Sequence, residues 1–181
     1  MSVKITYLVH GATLDNEQDI ASGWANPELS ELGIKQAKQQ GDLLVGKHFD
    51  IVFCSDLKRA VESADLAFKG KVEIIQDNRL RECNYGDFNQ KPDKTFKHEV
   101  LKYIDTPFPN GESYEDVKAR IQNLLKFIKA NYNDKHVVLL AHQAPQLALD
   151  VLLKGKTWKQ AIDEDWRKTK SWQPGWEYEL K

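Results

Sequence analysis

From its amino end the chain opens on a nearly continuous apolar run, Val3 to Val9, rich in β-branched and aromatic residues. Such runs suit strands covered on both faces. Three more follow: Ile51-Val52-Phe53-Cys54, Val72 to Ile75 and Val137 to Ala141. Helical spacing fills the intervals. Ser30-Glu31-Leu32 opens a helix with Leu32, Ala37, Leu43 and Leu44 as a loose apolar stripe and Gly46 as its stop. Asp56 is placed to cap a second helix that carries Ala60, Ala64 and Ala67 on its packing side. The third has the clearest signature, because Ser113 precedes Asp116 as in a capping box and Val117, Ile121, Leu124, Leu125 and Ile128 then recur at helical intervals. Pro145 fits the first turn of a fourth helix over Gln146 to Leu153, with Gly155 just past its end. Strands alternating with helices of this length predict an α/β fold, a three-layer sandwich whose mostly parallel central sheet carries helices on both faces. No repeat or linker divides residues 1–181, so one domain is expected. Residues 91–109 look like an insertion able to cover a site as a lid, and 156–181 form a Trp-rich C-terminal segment.

Composition narrows the function without naming it. With 181 residues, 41% of them hydrophobic and 29% charged, the chain is neither disordered nor collagen-like, and a domain of this size needs no metal or disulfide staple to fold. The 26 basic and 27 acidic residues leave a net charge of -1 with no long run of one sign. Nucleic acid and membrane are therefore not expected partners, and any anion site must be local. Cys54 and Cys83 form no C-x-x-C pair, against a zinc ribbon or redox motif. The residues before His10 are too few for a signal peptide, and no stretch approaches 18 apolar residues, so a cytoplasmic setting is expected.

Ligands of parallel sheets bind beyond the carboxyl ends of the strands. After the first strand comes His10-Gly11-Ala12-Thr13, after Cys54 comes Ser55-Asp56-Leu57-Lys58-Arg59, and after Ala141 comes His142-Gln143. One histidine at a strand end is ordinarily structural. Two at equivalent ends, with Arg59 one turn into the intervening helix, point to a site.

These segments fall into an ordered pattern: His10-Gly11-x-Thr13-x-x-Asn16, Ser55-Asp56-Leu57-x-Arg59-Ala60-x-x-x-Ala64, Leu80-Arg81-Glu82-x-x-Tyr85-Gly86, Gly111-Glu112-Ser113-x-x-Asp116-Val117 and Leu140-Ala141-His142. From about residue 3 to about residue 150 the chain resembles the histidine phosphatase superfamily, also called the phosphoglycerate-mutase-like family. The resemblance implies that His10 is the nucleophile that becomes phosphohistidine, that Arg59 and His142 hold the phosphoryl group, and that Glu82 gives a proton to the leaving oxygen. It places Asn16, Gly23, Trp24 and Gln143 at the substrate, and leaves Arg81 as either a substrate contact or a structural ion pair. The residue types suit the chemistry. Neutral imidazole is a competent nucleophile, and phosphoryl transfer asks the protein mainly for positioning and positive charge. No metal or other cofactor is implied, the expected partner is a small-molecule phosphate ester, and a homodimer is left open.

The chain departs from that pattern where it matters. Members usually carry Arg before the nucleophile, where this chain has Val9; Ala12 stands in place of Glu or Gln, and Gln143 in place of the Gly that usually follows the second histidine. Losing one donor to the transferring group costs on the order of 2.7 to 4 kcal/mol, roughly a hundred- to a thousandfold in rate. The reading is therefore a metal-independent phosphomonoesterase. Its alternatives are a weak or inactive member that binds a phosphorylated ligand, or a phosphoglycerate-type mutase. Arg81, Arg167 and Lys170 are the candidate replacement cations. Trp158, Trp166, Trp172 and Trp176 make the tail a packing layer, a pocket wall or a subunit interface.

Overall fold

The computed structural model describes residues 2–169 and 175–181. Its elements in chain order are β1 (Val3–Val9), α1 (Leu14–Glu17), β2 (Ile20–Ala21), α2 (Glu31–Leu43), β3 (Ile51–Cys54), α3 (Lys58–Phe68), β4 (Ile74–Gln76), β5 (Lys91–Pro92), α4 (Tyr114–Asn131), β6 (His136–Ala141), α5 (Gln143–Lys154), α6 (Trp158–Asp163) and β7 (Trp176–Leu180), with short 3-10 turns between several of them. The main sheet runs β4-β3-β6-β1-β7. Its first four strands are parallel, and β7 lies antiparallel along β1, with Tyr7 opposite Trp176.

Alternation along the strands builds two cores. Leu8, Val52, Cys54, Val138 and Leu140 face one way, onto Ala60, Ala64, Ala67 and Phe68 of α3. Ile5, Tyr7, Val9, Phe53, Val137, Leu139 and Ala141 face the other, onto Val117, Ile121, Leu124 and Ile128 of α4 and Leu147 and Ala148 of α5. The expected three-layer α/β sandwich is therefore present. The Ser113–Asp116 capping box closes as the spacing predicts. The 91–109 stretch folds through β5 and two 3-10 turns, with Phe96 and Phe108 buried against the Tyr85 ring at 4.9 and 5.2 Å between centroids.

Several details differ from expectation. Asp56 does not cap α3, whose N-cap is Leu57 without a side-chain bond; the Asp56 carboxylate is instead held by both Nε and Nη2 of Arg81, at 2.8 and 2.6 Å, and a bidentate guanidinium outcompetes a single cap bond. Leu32 is not part of the α2 stripe but 51% exposed. In its place Gly33 presses on the loop after His10: a Cβ on Gly33 would clash with the backbone of Ala12, and one on Gly11 with that of Gly33. This pair of glycines lets α2 approach the His10 loop. Helix α5 begins at Gln143, three residues before the expected start, and ends on Gly155 at φ 66°. In the tail, the period-2 alternation of Trp176, Tyr178 and Leu180 becomes the edge strand β7, which the sequence reading did not separate from its tryptophans. Lys170 and Trp172 lie outside the described residues.

Candidate active site

Strands β1 and β6 are neighbours with Val9 opposite Ala141, so the residues that follow them, His10 and His142, emerge side by side. Their ring centroids lie 5.0 Å apart. His10 Nδ1 sits 2.6 Å from the Gly11 carbonyl oxygen. A carbonyl only accepts, so Nδ1 carries the hydrogen and the lone pair is on Nε2. That lone pair accepts from Arg59 Nε at 3.2 Å. Burial, and next the Arg59 charge, lower the His10 pKa to about 3, which leaves the ring neutral over the physiological range.

Arg59 is 2% exposed. Its Nη1 donates to the Ala25 carbonyl at 2.7 Å and its Nη2 to the Gly23 carbonyl at 2.8 Å. Gly23 thus serves the site through its backbone, in a left-handed conformation (φ 52°) where a Cβ would clash with the Asn89 side chain. Ser63 Oγ accepts from the Gly11 amide and donates to the Arg59 carbonyl, tying the loop after His10 to α3.

His142 is fully buried, and among the described residues neither ring nitrogen has a hydrogen-bond partner. Buried polar atoms without partners are rare and call for an explanation. Its pKa is held well below the usual value, first by burial and then by Arg59 and His10. Its backbone is anchored twice by Tyr7, whose Oη donates to the His142 carbonyl at 2.6 Å and accepts from the His142 amide at 3.0 Å.

Glu82 reaches the start of α5 from another part of the chain. Its Oε1 accepts from the amides of Cys83 and Ala144, both at 2.9 Å, and its Oε2 from that of Gln143 at 3.1 Å. Its carboxyl oxygens cap the start of α5, which His142 itself does not do. The Glu82 carbonyl in turn accepts from Trp24 Nε1 at 2.8 Å and Arg120 Nη2 at 3.0 Å. Arg120 is paired with Glu112 through Nε at 3.0 Å.

The structure therefore brings His10, Arg59, Glu82 and His142 to one edge of the sheet, with Gly23, Trp24 and Gln143 supporting them. It does not bring in Arg81 by a direct bond: that guanidinium is the ion pair with Asp56, stacked 4.7 Å from the Trp24 ring centre. Asn16 spends its Oδ1 on the Thr13 amide and hydroxyl, closing a capping box on α1, so only its amide nitrogen is left for a ligand. The Gln143 side chain donates to Asp165. Tyr7, Arg120 and Asp165 carry no signal in the sequence; each reads there as ordinary core or surface. Among the described residues, no three His, Cys, Asp or Glu side chains group as metal ligands would, and no helix is long and apolar enough to cross a membrane.

Residues 6–176 match the histidine phosphatase superfamily (branch 1). A 2,3-bisphosphoglycerate-dependent phosphoglycerate mutase of Methylorubrum extorquens is 34% identical over 169 residues, 83% of this chain and 78% of that protein. Phosphoserine phosphatase 1 of Hydrogenobacter thermophilus is 26% identical over 174 residues, 89% and 82% of the two chains. A mycobacterial glucosyl-3-phosphoglycerate phosphatase solved with VO3 superposes with a TM-score of 0.75 at 29% identity, covering 88% of this chain and 86% of that one. With the match spanning nearly the whole length, and two imidazoles meeting at one sheet edge as its ordered motifs imply, the chain belongs to the histidine phosphatase superfamily.

Proposed function

We propose that the protein is a metal-independent phosphomonoesterase acting on a small phosphorylated metabolite through phosphohistidine at His10. The observation that carries this reading is the pair of neutral imidazoles, one half-buried and one fully buried: His10 presents a lone pair fixed by its tautomer, and among the described residues the two His142 ring nitrogens have no hydrogen-bond partner.

A phosphate ester entering between them takes over the Arg59 Nε hydrogen now donated to His10, which frees Nε2 to attack phosphorus. The N–P bond forms as the ester P–O bond breaks, and Glu82 gives the leaving oxygen its proton. The phosphorylated ring is cationic, and the Gly11 carbonyl on Nδ1–H stabilises that charge. A water then attacks phosphorus, returns a proton to Glu82 and regenerates neutral His10. His142 donates one N–H to the phosphoryl oxygens throughout.

The test is phosphate release from a panel of phosphate esters with EDTA present, with alkali-quenched protein probed for base-stable phosphohistidine and His10→Ala as control. Release that needs His10 and survives EDTA supports the reading; release that EDTA abolishes and a divalent ion restores refutes it. Binding of the esters without turnover would favour the inactive-member reading. The similarity to mutases motivates a second reading, phosphoglycerate mutation, tested by isomerisation of 3-phosphoglycerate with and without 2,3-bisphosphoglycerate.

A further inference from the structure

A phosphoryl group arrives as a dianion, and the donors that receive it need uncommitted N–H groups. Arg59 has committed three of its five N–H groups, two to carbonyl oxygens and one to His10. Arg120, the guanidinium beneath Glu82, is spent on Glu112 and on the carbonyls of Arg79 and Glu82. Arg81 is bound to Asp56. Both imidazoles are neutral. Among the described residues Arg59 is the only cation hydrogen-bonded to either imidazole, and no second one stands where Val9 replaces the usual Arg.

Arg167 meets that need. It is carried by the 3-10 turn Trp166–Thr169, before the edge strand β7. Its Nη1 donates to Asp165 Oδ1 at 2.8 Å, and among the described residues its other two guanidinium nitrogens make no hydrogen bond. Its charge bears on the rings of both His10 and His142. Two sets of contacts hold it. The guanidinium lies 4.9 Å from the Trp166 ring centre and 5.9 Å from that of Trp176, which sits edge-on to Tyr7, the anchor of His142. Asp165, nearly buried, takes Arg167 on one oxygen and the Gln143 side chain on the other, so the residue after His142 is tied to the guanidinium through one carboxylate.

We infer that Arg167 is a phosphoryl-binding residue of this site, delivered from the C-terminal segment by the Gln143–Asp165–Arg167 chain and taking the place left without charge at Val9. This rests on the phosphohydrolase reading above. It also couples two departures from the family pattern, Val9 and Gln143, to one structural cause.

The test compares wild type, Arg167→Gln, Arg167→Lys and Gln143→Gly for binding of orthovanadate and inorganic phosphate by calorimetry, and for kcat/KM on one phosphate ester, with thermal unfolding recorded for each. Arg167→Gln is expected to weaken vanadate binding and lower kcat/KM by roughly a hundredfold, the value of one lost donor. Arg167→Lys should recover part of both, since the charge remains without the forked geometry, and Gln143→Gly should fall between. Wild-type vanadate affinity and turnover in a folded Arg167→Gln protein would overturn the inference while leaving the phosphohydrolase reading intact. If that variant unfolds, Arg167→Lys decides: a folded Lys protein with wild-type vanadate affinity and kcat/KM would assign Arg167 a purely structural role. Wild type that neither binds vanadate nor releases phosphate would overturn both.

Discussion

Removing one hydroxyl, by Tyr7→Phe, isolates the role of the anchor behind His142. The Tyr7 side chain is fully buried, and its Oη makes two bonds to one residue: it donates to the His142 carbonyl at 2.6 Å and accepts from the His142 amide at 3.0 Å. Burial and the nearby Glu82 raise its pKa above the usual tyrosine value, so the hydroxyl stays a donor at every working pH. Phenylalanine keeps the ring and its edge contact with Trp176. What is lost is one buried hydrogen bond, about 1 kcal/mol, and the partner of a buried N–H, about 1 to 3 kcal/mol more. The sum, about 3 kcal/mol, corresponds to a melting temperature roughly 6 to 12 °C lower for a domain of this size. His142 also loses both restraints on its backbone, and a catalytic group displaced by about 1 Å can cost on the order of a hundredfold, so kcat/KM is expected to fall about ten- to a hundredfold. Thermal unfolding and steady-state hydrolysis of one phosphate ester measure the two effects. Tyr178→Phe is the control, because that hydroxyl, bonded to Asp150 at 2.7 Å and also buried, should alter stability and leave turnover alone. A Tyr7→Phe protein with unchanged kcat/KM would refute the positioning role, and one that also melts within about 2 °C of wild type would refute the energetics.

Three further outcomes are expected. Because burial lowers the pKa of His10 to about 3 and that of His142 in the same direction, the unfolded chain binds these protons more tightly, and stability must fall as pH drops below about 6.5. The loss is at most about 1.4 kcal/mol per pH unit for each ring, so denaturation curves between pH 6.5 and 5 should be about 2 kcal/mol less pH-dependent in His10→Gln than in wild type; parallel profiles would contradict this. Glu82→Gln should slow an alkyl phosphate by about a hundredfold or more but p-nitrophenyl phosphate far less, since nitrophenolate leaves without a proton; equal losses on both substrates would remove Glu82 as proton donor. Val9 is 8% exposed within the core that holds Tyr7 and Ala141, so Val9→Arg should destabilise the protein by about 1 to 3 kcal/mol through overpacking and lower turnover, whereas a gain in activity would mean that no other cation fills the pocket.

Much of this site is legible in the linear chain, because parallel strands dictate where chemistry can stand. Apolar runs ending in His10, Ser55 and His142 forecast both the sheet and the edge at which the histidines meet, since adjacent parallel strands deliver their following residues to the same place. The capping box at Ser113 and the glycine stop at Gly155 are local chemistry and were equally readable. Partner choice is different in kind. Whether Asp56 would cap α3 or hold Arg81, which sits 25 residues away, is decided by two groups meeting in space with bidentate geometry. The same holds for Glu82, whose three amide partners include two at the start of a helix more than 60 residues later, and for Tyr7, which reads as one more strand residue until its hydroxyl is found on His142. Sequence periodicity reports which face a residue turns to the core; it carries no information on which polar atom will be waiting there. That is why the order of motifs determined the fold and the histidine pair, while the supports of that pair, and the guanidinium brought in from the tail beside β7, were decided only when distant segments closed on one another.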